Sequence, residues 1–515
     1  MISVKPPLRI LLVAIVLGCG VDLLFYDKLL GISALLFVLL LMSALFGLGW
    51  MNGTRPLRRN LWMVFPLIYF SCMVSVRANS FVTSLNVVFS LLLLGLIARF
   101  YAAGGLEKLG LTGYLLVPFS VLGNALIRTG SLVSASVDLQ SLRQRGGRSF
   151  WPLIRGILLA LPILFVFAVL LSSADLVFAN YLDNLFSPDI LATMREILWR
   201  GIIILAAAWI IAGGFAYALN RGDAERNVHA IQGNEDVSES AQEKESDGQT
   251  RLVSFGFIEV ATVLILVDLL FAVFVWIQFA YLFGGRANVV GEGFTYAEYA
   301  RRGFFELMAV SLLSLGLILS LRWLLCGETS RQKRAFGALC SLMVALVLVI
   351  LISAFQRLRL YEAAYGYTHL RLYSHIFMIW LAVTFVWLLI VIWNMAERFA
   401  IGAFASALGF LVTLNIINPD AFIVKQNLAL YQSIGKLDAN YLGRLSEDAV
   451  PVLMLNIDQI NGYERNLLSK SLLDRLILME EDTRWRSWPS FHLARRRAYN
   501  LLAGNRERLK SQNFP

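Results

Sequence analysis

The chain alternates between long apolar runs and short polar stretches. The hydrocarbon core of a bilayer is about 30 Å thick and needs roughly 20 apolar residues of helix to cross it. We therefore predict an all-α fold, a polytopic transmembrane bundle of about eleven spans with a helical C-terminal tail. The spans are predicted at residues 9–26, 31–50, 61–77, 81–102, 152–172, 197–219, 253–283, 303–325, 337–356, 374–396 and 399–416.

One further apolar segment, residues 111–135, is interrupted by Pro118 and carries Arg128. If it crossed the membrane, the arginines that follow it would lie outside, against the excess of positive charge found in cytoplasmic loops. We therefore interpret it as an interfacial or re-entrant segment on the inner face.

The polar stretches divide the chain into four parts. Residues 220–251 are rich in acids, Ser, Gln and Gly, which predicts a flexible cytoplasmic linker. The linker separates an N-terminal membrane half, 1–219, from a C-terminal half, 252–416. Residues 417–515 are less apolar and predict a helical extracytoplasmic tail, through which other envelope proteins could bind.

Composition and charge agree with a membrane protein. The 515 residues are 58% hydrophobic and 16% charged, whereas soluble domains are near half apolar and a quarter charged. The net charge of +10 comes from short basic patches between apolar runs, so nucleic-acid binding is not indicated. Most loop cations fall inside when the N-terminus is cytoplasmic. We expect a multi-pass membrane protein with a cytoplasmic N-terminus and an extracytoplasmic C-terminus.

Familiar catalytic motifs are missing from the sequence. It contains no HExxH, no phosphate-binding G-x-x-x-x-G-K and no serine-hydrolase elbow, so no catalytic residue, metal site or cofactor is predicted. The cysteines are interpreted as apolar fillers. Residues before Cys19 loosely resemble a lipoprotein signal, but the apolar run continues past it and favours a plain first span.

The seventh span contains Glu259, Asp268 and Gln278, of which Glu259 is close to its inner end. Asp268 and Gln278 would be costly in hydrocarbon unless they are paired or hydrated. Asp268 either makes a structural hydrogen bond to another helix or contributes to a polar path across the membrane.

Two predicted outer loops carry cations against the positive-inside rule, together with tyrosines and acids. They form either an ion-pair clasp or a pocket for an anionic ligand, such as a lipid phosphate or a cell-wall precursor. The candidate binding residues are Tyr296, Glu298, Arg301, Arg302, Arg357, Arg359, Tyr361, Glu362, Tyr365, His369 and Arg371.

The last segment of the tail, from Trp485 through Trp488 to Arg497, mixes aromatic and cationic side chains. Such a segment either lies on lipid headgroups or forms a small helical cap with a solvated basic face.

Four blocks carry a family resemblance: FAVFVWIQFAYLFGG (271–285), TYAEYARRGFFEL (295–307), YEAAYGYTHLRLY (361–373) and NPDAFIVKQNL (418–428). In combination they resemble a bacterial membrane family known as domain of unknown function 4173, which is related to 4153. The resemblance covers roughly 250–460, and the N-terminal half is similar only in hydropathy. It implies a multi-span inner-membrane protein and no defined activity.

Three functions are compatible with these patterns. A non-enzymatic envelope sensor, scaffold or ligand-binding protein would use the outer clusters and the tail. A transporter or lipid flippase would need a polar path reaching Asp268 and Gln278. A membrane-embedded transferase acting on an envelope precursor would need Glu298 or Glu362 beside an open cavity, free to act as a base.

Overall fold

A computed structural model describes residues 7–104, 106–136, 167, 188–232, 256–283, 303–325, 329–394 and 398–511. The secondary structure elements within these ranges are helices, which confirms the all-α prediction. Ten of the described helices are long and apolar enough to cross a membrane. The chain is therefore a multi-pass membrane protein.

The described part of the N-terminal half contains six helices and two short 3-10 turns. The turns cover Arg58–Met63 and Leu106–Lys108. The helices are α1 (Pro7–Phe25), α2 (Ile32–Met51), α3 (Val64–Met73), α4 (Ser80–Arg99), α5 (Leu111–Ser136) and α6 (Pro188–Gln232).

Among the described residues, the C-terminal half contains five long helices and the tail six shorter ones. The long helices are α7 (Phe257–Phe283), α8 (Phe304–Leu324), α9 (Ser330–Tyr365), α10 (His369–Asn394) and α11 (Phe399–Ile417). The tail holds α12 (Pro419–Ile434), α13 (Ala439–Gly443), α14 (Val450–Asn456), α15 (Gly462–Glu481), α16 (Leu493–Gly504) and α17 (Arg506–Ser511), with 3-10 turns at Ile457–Gln459, Thr483–Arg486 and Trp488–Ser490.

Close helix packing in the N-terminal half depends on glycine. Helix α6 packs against α1 and α5. A Cβ built on Gly213 would lie 1.9 Å from the Ala125 carbonyl oxygen, and one on Gly18 would lie 2.5 Å from that of Ile204. Small residues at such crossings let helix backbones approach, which is how helices associate in lipid.

Helix α11 joins the two halves, because it packs against α10 on one side and against α4 and α5 on the other. Asn86 of α4 and Asn415 of α11 exchange two side-chain hydrogen bonds of 3.0 and 2.8 Å, and both residues are fully buried. Since an unpaired amide would be costly in this interior, the reciprocal pair fixes the register of the two helices.

Several predicted boundaries differ from the structure. Helix α3 has 10 residues, short for the predicted span 61–77. Residues 111–135 form one continuous helix that could cross a membrane by length and composition, so their interfacial placement stays a prediction. Helix α6 runs to Gln232, into the predicted linker. The rest of that linker and the predicted span 152–172, apart from residue 167, lie outside the described residues.

The tail covers one end of the bundle, where α1, α3, α9 and α11 end and where α2, α4 and α10 begin. The backbone N–H of Ile32 donates to Phe491 O at 2.9 Å, and that of Leu493 donates to Ser75 O at 2.8 Å. The N–H of Leu29 donates to Ser490 Oγ at 3.0 Å. These bonds satisfy polar groups at the helix turns, and we call this face the capped end.

Candidate functional site

The turn between α9 and α10 is the centre of the candidate site. Gly366 has a φ of +77°, a conformation that favours glycine. The Asn427 amide of α12 accepts from the N–H of Tyr367 at 2.7 Å and donates to its carbonyl at 2.9 Å. The tail therefore holds this turn through two backbone hydrogen bonds.

The outer loop predicted between the ninth and tenth spans is mostly helix, so that prediction was wrong. Arg357, Arg359, Tyr361 and Glu362 lie on the last turns of α9, which has 36 residues. The sequence 357–365 contains no glycine or proline, and the helix continues until Gly366 allows the chain to reverse.

Several predicted binding residues make contacts within the protein. The Arg371 guanidinium lies 4.1 Å from the centre of the Tyr361 ring and donates to the Tyr365 carbonyl at 3.2 Å and to that of Gly366. Glu362 is 1% exposed and its Oε1 accepts from His375 Nδ1 at 3.0 Å. Neither set of contacts pairs one of these arginines with an acid, so the ion-pair clasp stays a prediction. The ligand-pocket alternative stays untested.

The other predicted residues are dispersed. A Cβ on Gly303 would lie 2.7 Å from Arg357 Nη1, which places that guanidinium against the start of α8. Arg359 is exposed on α9. Gln278 accepts from Ser353 Oγ of α9 at 2.9 Å, and Asp268 is 4% exposed on α7. Four predicted residues lie outside the described residues: Tyr296, Glu298, Arg301 and Arg302.

His369 belongs to a partly buried polar cluster that the sequence did not predict. Its Nε2 donates to Asp420 Oδ1, and the Asn79 amide donates to the same oxygen at 2.9 Å. The N–H of Ser446 donates to Asp420 Oδ2 at 3.0 Å. Tyr441 OH accepts from the backbone N–H of His369 at 2.9 Å. Four elements, α4, α10, α12 and the loop before α14, thus meet at one carboxylate.

A second carboxylate lies beside the first. Asp448 Oδ2 accepts from the N–H groups of Ala78 at 2.6 Å and Asn79 at 3.3 Å, and its Oδ1 lies 3.8 Å from Arg77 Nη1. Arg77 Nε donates to the Asn415 carbonyl at 2.8 Å. Tyr373 OH donates to Asn79 Oδ1 at 3.2 Å. We call the whole set the capped-end cluster; its members are Arg77, Asn79, His369, Tyr373, Asp420, Tyr441 and Asp448.

The two carboxylates have opposite electrostatic environments. Burial alone would raise the pKa of Asp420, but the hydrogen bonds from His369 and Ser446 outweigh it and hold that pKa below its usual value. Burial raises the pKa of Asp448 to about 6, against the lowering effects of the Ala78 N–H and the Arg77 charge. Asp420 is therefore ionised at neutral pH, and Asp448 titrates near pH 6.

The raised pKa of Asp448 predicts a pH-dependent stability. The folded form holds the Asp448 proton more tightly than the unfolded chain does. The stabilisation from this proton is therefore complete below pH 3.8 and is lost as pH rises through about 6. Between pH 5 and pH 8 the free energy of unfolding of the wild type should fall by about 1 kcal/mol more than that of Asp448→Asn. Thermal unfolding of both proteins at the two pH values checks this, and parallel profiles would contradict it.

A cleft of about 550 Å³ opens beside the turn. One wall is residues 364–368 and the other is formed by α12, residues 436–442 and the start of α15. We call it the turn cleft. Tyr365, Ile434 and Tyr463 line it with exposed fractions of 57%, 50% and 74%. Its charged lining residues are Lys436, Asp438 and Glu464.

Little in the sequence indicated that the residues of the capped-end cluster would meet. Asn418-Pro419-Asp420 correctly indicates a helix start at Pro419 with an acid in its first turn. Asn418 makes no side-chain cap and instead has a φ of +55°. Asn79 and Asp448 lie 369 residues apart in isolated polar positions, and no spacing connects them.

Comparison with known proteins gives one family. A family model described as a domain of unknown function (DUF4153) matches residues 64–455, which contain the whole capped-end cluster. The match confirms the resemblance to 4153. It also begins in α3, so the expectation that the N-terminal half is similar only in hydropathy was wrong. The resemblance to 4173 stays a prediction. No curated protein and no solved structure matches the chain.

Proposed function

Since the chain belongs to the DUF4153 family, whose description assigns no activity, we propose a function from the capped end. The protein is a non-enzymatic scaffold or sensor of a bacterial inner membrane, and it binds a segment of another envelope protein in the turn cleft. The observation that carries this proposal is an open, tyrosine-lined cleft whose two walls are fixed to each other.

The lining of the turn cleft suits a polypeptide better than an anion. Exposed tyrosines supply large contact areas at low cost in side-chain entropy, and they are enriched where proteins bind each other. The charged residues, Lys436, Asp438 and Glu464, include both signs with an excess of acid. A lipid phosphate or cell-wall precursor would need free cations, whereas Arg371 already donates to backbone carbonyls.

The rigidity of the cleft supports binding without large rearrangement. Asn427 holds Tyr367 at the turn, and the hydroxyl of Tyr441 in the opposite wall accepts from the backbone N–H of His369. Because both walls are ordered before a partner arrives, binding would lose little conformational entropy.

Charge at the opposite end supports an extracytoplasmic capped end. There Glu107 lies 3.8 Å from Arg59 and 3.8 Å from Arg398, and Arg55, Arg58 and Arg99 lie at the same end of their helices. Clustered loop arginines favour the cytoplasmic side. The capped end and the tail would then face the envelope, and the N-terminus would be cytoplasmic.

Transport or lipid flipping is the alternative, and one observation favours it. Both carboxylate oxygens of Asp268 are buried on α7 with no hydrogen-bond partner among the described residues. Such a group within a span commonly marks an ion or substrate path. A transferase is less favoured, because Glu362 is 1% exposed and its carboxylate is bound to His375.

The partner proposal predicts a position-dependent crosslink in intact cells. A photoreactive residue replacing Tyr463 or Tyr365 should give the same protein adduct. One replacing Lys510, which is exposed on α17 and does not line the cleft, should not. Adding Ile434→Arg should reduce the adduct about tenfold by filling the cleft with a charge.

Three results would overturn the proposal. They are no protein adduct at either tyrosine position, an equal adduct at Lys510, and an adduct unaffected by Ile434→Arg. Because Ile434 is half exposed, the substitution should leave the melting temperature unchanged, and this measurement separates lost binding from lost folding.

A further inference from the structure

A second crevice, of about 720 Å³, lies where the tail meets the start of α2. Ile32 and Leu36 of α2 form one wall, and the tail between Trp485 and Asn500 forms the other. The Ile32 N–H donates to Phe491 O at 2.9 Å and joins the two walls. We call this site the tryptophan crevice. Since α2 is a candidate membrane span from Ile32 to Met51, the crevice opens at the boundary between headgroups and hydrocarbon.

The crevice carries positive charge without compensating acid. Arg486 and Arg496 line it and are exposed, and neither forms an ion pair with any residue that the structure describes. None of its lining residues is Asp or Glu. Nearby Arg484, by contrast, donates to Asp482 at 3.0 Å through both Nε and Nη2. The two crevice arginines are thus available to an anion.

Aromatic rings orient these arginines. The Arg486 guanidinium lies 5.7 Å from the Trp485 ring and 5.8 Å from the Tyr499 ring, and that of Arg496 lies 5.7 Å from the Phe491 ring. A guanidinium held over a ring keeps its N–H groups directed outward in the plane, ready to bind phosphate oxygens.

The remaining surface of the crevice is suited to a lipid. Trp488 is 59% exposed at its edge, and indole rings favour the headgroup region of a bilayer. Ile32 and Leu36 continue the crevice along the apolar start of α2. His492 adds no charge at neutral pH, because burial lowers its pKa to about 4.

We propose that the tryptophan crevice binds an anionic phospholipid from the leaflet at the capped end. Arg486 and Arg496 bind the phosphate, the indole of Trp488 lies beside the headgroup, and one acyl chain follows Ile32 and Leu36. The bound lipid attaches the tail to the membrane surface, independently of any protein in the turn cleft.

Lipid titration of the purified full chain in detergent, followed by native mass spectrometry, tests this proposal. The probes are phosphatidylglycerol and phosphatidylcholine, and wild type is compared with Arg486→Gln/Arg496→Gln. We expect phosphatidylglycerol to bind more tightly, and the double variant to weaken its binding about thirtyfold. Lys470→Gln/Arg497→Gln is the matched control, since it removes two exposed charges of the tail outside the crevice. It should bind like wild type.

Each competing explanation of lipid binding predicts a different outcome of this titration. Equal weakening in both double variants would mean non-specific attraction to a basic tail, and equal binding of the two lipids would exclude phosphate selectivity. Displacement of the lipid by excess inorganic phosphate would mean an anion site without acyl recognition. Any of these overturns the proposal. Unchanged melting temperatures would show that the variants fold, as exposed arginines without ion pairs predict.

Discussion

Replacement of Asp420 by alanine is expected to lower the free energy of unfolding by about 3–5 kcal/mol, the usual cost of breaking a buried charged pair. Asp420 is fully buried and accepts from His369, Asn79 and the Ser446 N–H. Its removal leaves three donors without an acceptor at the junction of the tail and the bundle. Thermal unfolding of the detergent-solubilised protein measures this loss.

Two further variants separate charge from shape. Asp420→Asn keeps one acceptor oxygen and should be less destabilising than Asp420→Ala. Asp474→Ala removes an exposed acid of α15 and should change stability by less than about 0.5 kcal/mol. If Asp420→Ala behaved like Asp474→Ala, the capped-end cluster would not hold the tail on the bundle.

Gly213→Val is expected to lower the free energy of unfolding by about 3 kcal/mol or more, as much as Asp420→Ala does, or to prevent folding of the N-terminal half. A Cβ at this position would lie 1.9 Å from the Ala125 carbonyl oxygen and 2.5 Å from Thr129 Oγ1. A backbone oxygen cannot rotate away as a flexible side chain can, so α5 and α6 must separate. The yield and melting temperature of folded protein measure the effect.

The adjacent residue provides the control. A Cβ on Gly214 would meet nothing within 4 Å, so Gly214→Val introduces the same β-branched residue into the same helix without the clash. Because valine is a slightly better helix former than glycine, this variant should be at least as stable as the wild type. Equal loss in both variants would mean that placing a β-branched residue anywhere in α6, and not close packing against α5, explains the result.

The sequence predicted the helices well because the bilayer requires a minimum length of apolar helix. Most predicted spans correspond to described helices within a few residues. The failures occurred where another physical rule governs the boundary. Helix α9 continues through Arg357 and Arg359 because polar residues alone do not end a helix, and the chain reverses only at Gly366.

The candidate site was only partly predictable. His369 was selected for its place in an unusually polar stretch, yet its acceptor, Asp420, belongs to another block and its neighbour, Asn79, to the other half of the chain. Isolated polar residues become informative only when folding brings them together. Hydrophobic periodicity reports which face of a helix is buried, and it carries no information on long-range polar partners.

The hydrogen bonds between the tail and the first helical turns can form only late in the synthesis and folding of this protein. Leu29 and Ile32 leave the ribosome more than four hundred residues before Ser490 and Phe491, to which their amides are bound. The early spans therefore enter the bilayer with these amides still hydrated, and only a chain that already contains Ser490 and Phe491 can replace that water. A nascent chain that stops before residue 490 would be inserted but would present the bare ends of α2 and α4. Closure of the cap thus waits for residues 490–493, and a fragment that lacks them leaves these amide groups without their acceptors in the tail.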